Sequence, residues 1–106
     1  MWTVETLNAA VDAEIAALPK DMRAKLVRIS ELIEAVGLQR LPHDTTKHLE
    51  GKLRELRIKA ASGISRAIYV TATGQRVVIV RVFVKKTQKT PQRELELVRE
   101  RAKEVT

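Results

Sequence analysis

Apolar residues change their spacing twice along the chain, near residue 50 and again near residue 90. Before the first change the period is helical. From Asn8 to Leu18, the residues Val11, Ile15 and Leu18 recur at i, i+4 and i+7 and mark one stripe of an amphipathic helix. Pro19 interrupts it and suits the first turn of a second helix. Along that helix Met22, Leu26, Ile29, Ile33 and Val36 advance by fours and threes, and Gly37 follows where a C-cap belongs. The two stripes predict an αα-hairpin, with Lys20, Arg23, Lys25, Glu31 and Glu34 on its solvated side. Trp2 to Glu5 reads as a short opening strand, with Trp2 packing under the helices.

Leu38 to Lys52 has no period and reads as irregular. From Leu53 to Ala60 the pattern alternates: Leu56, Ile58 and Ala60 point one way, Glu55, Arg57 and Lys59 the other. Ser62-Gly63 signals a turn, Ser65 to Ala72 a strand, and Thr73-Gly74-Gln75 another turn. Arg76 to Val84 is apolar on both faces, which predicts a central strand covered on both sides. Lys85 to Thr90 is a basic loop. Thr90-Pro91 then offers an N-cap and a first-turn proline for a closing helix striped by Leu95, Val98, Ala102 and Val105. The expected order is β-α-α-β-β-β-α: an α+β fold with an N-terminal αα-hairpin on an antiparallel sheet of about four strands and a C-terminal helix, all in one domain over residues 1–106.

Composition narrows the chemistry. No cysteine is present, which excludes disulfides, thiolate zinc sites and a cysteine nucleophile. No apolar run reaches the roughly 18 residues of a membrane span, and no secretion signal is evident, so a cytoplasmic protein without membrane contact is expected. His43 and His48, with Asp44 between them, read as a surface pair; no metal and no cofactor is expected. Charge is the informative quantity. Residues 46–106 carry 15 Lys and Arg against six acids, while residues 1–45 carry five against seven. Cations concentrated in one contiguous segment point to a polyanion or an acidic protein as partner.

Several of those cations are candidates for a site. Arg57 and Lys59 share one face of the first meander strand, and Arg66 begins the second. Arg81 interrupts the apolar strand in the register of Val77, Ile79 and Phe83; a charge there is costly unless paired or open to solvent, and a site-lining role is favoured over a structural ion pair. Lys85 and Lys86 leave the end of that strand, with Lys89 close behind. Tyr69, among apolar neighbours, reads as core. The reading requires these cations to converge on one concave patch.

The runs Leu53-Arg54-Glu55-Leu56-Arg57, Gly63-Ile64-Ser65-Arg66-Ala67-Ile68-Tyr69 and Val82-Phe83-Val84-Lys85-Lys86-Thr87-Gln88-Lys89-Thr90-Pro91 resemble the HigB branch of the RelE/ParE toxin superfamily. Leu18-Pro19-Lys20 at the hairpin turn fits as well, so the resemblance spans nearly the whole chain. It implies the toxin of a type II toxin–antitoxin module, a ribosome-dependent endoribonuclease in which the mRNA 2′-hydroxyl attacks the adjacent phosphate. It implies as partners the ribosome, mRNA and a HigA-like helix-turn-helix antitoxin, with oligomers forming only through the antitoxin complex.

On that reading Arg57, Lys59, Arg66, Arg81 and Lys85 are the catalytic set. Arg66 and Arg81 would stabilise phosphate charge, and Lys59 or Lys85 would accept the proton. Arg54, Lys86 and Lys89 would hold the RNA backbone. Two positions depart from the family pattern. Arg81 stands where relatives often carry His, and the Lys85–Thr90 loop has neither Tyr nor His. A ParE-like inhibitor of DNA gyrase and a non-catalytic basic binding module are the competing functions.

Overall fold

The computed structural model describes residues Met1–Thr106. Its elements are β1 (Thr3–Thr6), α1 (Ala9–Ala16), α2 (Lys20–Val36), a 3-10 turn (Leu38–Arg40), β2 (Thr46–Glu50), β3 (Leu53–Ala60), β4 (Gly63–Ala72), β5 (Arg76–Val84) and α3 (Gln92–Ala102). The five strands form one mixed sheet in the order β1-β5-β4-β3-β2. β1 runs parallel to β5 and the other pairs are antiparallel.

The start of α1 and the end of α2 have local causes. The Asn8 side chain accepts from Val11 N at 3.1 Å and caps α1. Gly37 closes α2 at φ +90, and a side chain there would meet Trp2 Nε1 at 3.0 Å. Asp21, in the first turn of α2, reaches across to the β3–β4 hairpin. It accepts from Ser62 N at 2.7 Å and from Ser62 Oγ at 2.6 Å. These bonds hold the Asp21 carboxyl below the ordinary aspartate range.

The sheet separates two cores. The αα-hairpin packs Val11, Leu18, Met22, Leu26, Ile29 and Ile33 against Leu56, Ile58, Tyr69, Val77 and Ile79. On the opposite face α3 lays Val98 over Leu53, Ile68, Val70, Val78 and Val80. Each fully buried Leu, Ile or Val side chain contributes about 1.5–3 kcal/mol, so the hairpin face carries most of the apolar stabilisation. β5 is an interior strand covered on both sides, as the apolar run Val77–Val80 requires.

Three sequence expectations are corrected. The irregular stretch contains β2, which pairs with β3 through a two-residue turn at Gly51-Lys52, so the sheet has five strands instead of four. β2 is a polar edge strand with no fully buried residue, hence its lack of an apolar signal. Strict alternation fails in β5: Ile68 lies opposite Arg81 while Tyr69 lies opposite Ile79, which leaves Val80 as an inserted residue. This bulge moves Arg81 off the Val77–Ile79 face and onto the α3 side. Finally, the N-cap of α3 is Pro91 instead of Thr90, which leaves no side-chain cap, and the Thr90 hydroxyl accepts from Arg66.

Candidate nucleic-acid interface

Register places most of the predicted cations on one face of the sheet. Arg57 lies opposite Arg66, and Arg66 opposite Phe83, so the three form one row across β3, β4 and β5. Towards α3 the next row is Glu55, Ile68 and Arg81. In the other direction Lys59 lies opposite Ile64, whose carbonyl accepts from Lys85 N at 2.8 Å. Side chains alternate along a strand, so Arg57, Lys59, Arg66 and Lys85 all belong to the α3 side. α3 covers only one end of that side. The rest is bordered by the 85–91 loop, which presents Lys86 and Lys89 as exposed cations.

Within this patch the cations do different things. Arg66 is 2% exposed. Its guanidinium donates to Thr90 Oγ1 at 2.8 Å, to Gln88 O at 2.7 Å and to Thr87 O at 3.2 Å. Those bonds fold the loop back onto the sheet. Glu55 is buried beside it, with carboxylate oxygens 3.8 Å from Arg66 Nε and from Arg57 Nε. No closer partner reaches either Nε, so Glu55 balances both guanidiniums without bonding either. The Arg57 side chain keeps 30% of its surface exposed and that of Lys59 keeps 56%. A phosphate arriving from solvent therefore meets Arg57, Lys85 and Lys59, the last paired with the exposed Asp44 at 3.0 Å, and finds Arg66 already occupied.

Arg81 is tied to carboxylates. Its Nε and a terminal nitrogen donate to Glu94 of α3 at 2.7 and 3.0 Å, and Glu14 of α1 lies 2.9 Å away. Glu14 also accepts from Val82 N at 3.1 Å and pairs with Arg101 at 2.8 Å. The Glu94 hydrogen bonds, with Glu14 adding to them, push the Arg81 pKa above its ordinary value, so this residue holds a fixed charge and cannot act as a base. Its guanidinium stands 5.6 Å from the Phe83 ring. An open cavity of about 520 Å³ runs beside it, lined by Phe83, Lys85, Lys86 and Arg93 among others.

Arg54 stands apart. It lies opposite Tyr69, a residue of the hairpin-side core, and so faces away from the patch. Burial pushes the Tyr69 phenol up, which keeps it a neutral core group. Five participants lacked a functional signal in the sequence. Lys47 sits opposite Glu55 on the unforeseen β2. In the sequence Glu55 marks only one face of an alternating strand, Thr87 and Gln88 a loop, and Thr90 a helix N-cap. No three His, Cys, Asp or Glu side chains gather in a way that could hold a metal ion.

The α+β architecture, with an αα-hairpin on one face of a mixed sheet and a C-terminal helix on the other, is the RelE-like toxin fold. A chain of the crystallised archaeal RelE–RelB complex from Pyrococcus horikoshii OT3 superposes with a TM-score of 0.56 at 20% identity, covering 78% of this chain and 93% of that one. The profile of the phage-derived Gp49-like family (DUF891) matches residues 13–103, and the chain belongs to that family, which is of the RelE/HigB toxin type. No curated protein matches the chain.

Proposed function

We propose that this chain is the HigB-like toxin of a toxin–antitoxin pair, acting in the cytoplasm as a ribosome-dependent endoribonuclease on mRNA. The observation that carries the reading is the strip of Arg57, Lys59 and Lys85, continued by Lys86 and Lys89 of the loop, in which cations outnumber the two carboxylates, the buried Glu55 and the exposed Asp44 paired with Lys59. In the reaction the RNA 2′-oxygen bonds to the adjacent phosphorus and the bond to the 5′-oxygen breaks. The products are a cyclic phosphate and a free 5′-hydroxyl. Negative charge grows on the non-bridging oxygens, where Arg57 offers a bidentate guanidinium. Lys59 and Lys85 flank it and carry protons from the 2′-hydroxyl and to the leaving oxygen.

Arg66 and Arg81 enter this scheme through what they hold. Arg66 fixes the loop bearing Lys86 and Lys89, and Arg81 locks α3 and α1 to the end of β5. Direct phosphate contact by either would require it to leave its present partners. The pairing named for the archaeal relative supports an antitoxin here too. A HigA-like helix-turn-helix protein with acidic residues over Arg57 and Lys85 would neutralise the strip and form the oligomer.

The test is a translating extract in which mRNA 5′ ends are mapped after adding the protein, run beside a gyrase supercoiling assay. New ends at ribosome-occupied codons support the reading. Unchanged ends with lost supercoiling would transfer the chain to the gyrase inhibitors, and unchanged results in both would leave a binding module.

A further inference from the structure

A second cation-lined feature lies over the edge of the sheet from the strip. A cavity of about 290 Å³ is lined by Lys25 and Arg28 of α2, Leu41 and Asp44 of the segment before β2, and Arg57 and Lys59 of β3. Four cations from two elements thus meet one carboxylate. Asp44 is already engaged, accepting from Lys59 Nζ at 3.0 Å, and that bond, together with the charges of Lys59 and Arg57, holds its carboxyl below the ordinary aspartate range. Lys25 and Arg28 have no carboxylate within 4.0 Å and make no hydrogen bond through their side chains. The floor between them is aliphatic: Ile29 and Leu41 are buried, and Leu32 is 40% exposed.

Sequence alone left Lys25 on a solvated helix face. The fold turns that face into the wall of a groove continuous with the strip, because Arg57 and Lys59 belong to both. The two flanks of α2 are also oppositely charged. On the other side of the helix Glu31 and Glu34 line a second groove with Glu5 of β1. A polyanion lying along α2 is therefore drawn to one flank and repelled from the other.

We infer that the groove between α2 and β3 is a second phosphate subsite, which seats the RNA strand next to the scissile nucleotide and extends the proposed site beyond the sheet. This rests on the reading of the strip as an RNA-cleaving site. Arg28 and Lys25 would contact backbone phosphates, while a base rests on Ile29, Leu32 and Leu41. A nucleic acid is favoured over an acidic peptide because the cations line up with those of the strip, along one continuous path around the sheet edge.

The experiment uses the full chain and a 12-nucleotide single-stranded RNA carrying 2′-O-methyl groups, which cannot be cut, with binding read by fluorescence anisotropy over a salt series. The Lys25→Glu/Arg28→Glu variant changes exposed helix positions only. It is expected to bind about tenfold more weakly, with the slope of log K against log salt shallower by about 1.4, the value for two lost single-strand phosphate contacts. Lys20→Glu/Arg23→Glu makes the same charge change on α2 outside the groove and is expected to bind as the parent does. Circular dichroism confirms that both variants are folded.

Equal weakening of both variants, unchanged binding by the first, or no RNA binding by the parent protein would each overturn the subsite. So would a groove variant that keeps RNA but loses an oligo-glutamate peptide, since the groove would then belong to a protein partner. Failure of mRNA cleavage in the extract would sink the nuclease reading while leaving this binding result readable on its own.

Discussion

Arg66 Nη1 donates to the Thr90 hydroxyl at 2.8 Å, and the bond anchors the loop to the sheet. Thr90 directly precedes Pro91, the N-cap of α3. The Thr90 oxygen is one of three acceptors that draw the 85–91 loop onto the sheet. The most buried cation of the patch thereby determines where the exposed ones stand.

Replacing Arg66 with Met should release that loop and leave Glu55 buried with Arg57 alone as counter-charge. A loss of about 3 kcal/mol is expected in urea unfolding, the usual cost of removing one partner of a buried ion pair. The Glu55→Leu/Arg66→Met double variant should be less destabilised than the two single losses combined, because neither charge is then stranded. Hydrogen exchange at residues 86–90 should rise in the single variant. Additive losses with an unchanged loop would contradict the arrangement.

Lys59→Ala/Lys85→Ala should lower mRNA cleavage by about 10²–10³-fold, because it removes both proton carriers of the proposed reaction while Arg57 remains. Both side chains lie at the surface end of the patch, so thermal unfolding should barely move. Mapped 5′ ends at parental intensity would mean that other groups carry the proton.

Asp21 ties α2 to the β3–β4 hairpin, and its carboxyl titrates below the ordinary aspartate value because Ser62 donates twice to the ionised form. A depressed folded-state pKa stabilises the protein above the unfolded value, and the contribution is lost as pH falls through the folded value. Asp21→Asn should therefore unfold at a lower temperature than the parent at neutral pH. The two melting curves should converge in strongly acidic buffer. A gap independent of pH would show that the contact is not charge-assisted.

Glu14 joins α1 to β5 and α3 through Val82 N, Arg81 and Arg101. Glu14→Ala should cost about 3 kcal/mol, since it strands a buried backbone N–H and leaves two guanidiniums with fewer partners. Exchange protection at Val82 should fall with it. Retained protection there would show that the edge of β5 is closed by something else.

Much of this molecule is legible in its sequence because its helices and inner strands bury apolar side chains with a regular period. Met22, Leu26, Ile29 and Ile33 of α2 and the double-faced run of β5 all sit where that period places them. Period says nothing about β2, whose residues are polar and whose pairing is main-chain to main-chain. Nor does it reveal the parallel pairing of β1, which depends on the chain returning under the hairpin. At the candidate site, alternation puts Arg57 and Lys59 on one face of β3, but the strand register brings Arg66 beside them and the inserted residue in β5 turns Lys85 to the same side. Their division of labour does not follow from alternation either. Burial separates Arg66 from Arg57, and an inserted residue delivers Arg81 to Glu94; neither leaves a mark in residue order.

Two glutamates also shape how partners can approach. Glu34 Oε2 accepts from Val4 N at 3.1 Å on the outer rim of β1, and Glu14 does the same for Val82 beyond the end of β1. An incoming strand would have to evict a carboxylate before it could zip onto either rim. Copies of this chain are thereby discouraged from stacking sheet to sheet along that border, and whatever grips the protein there must do so by its side chains.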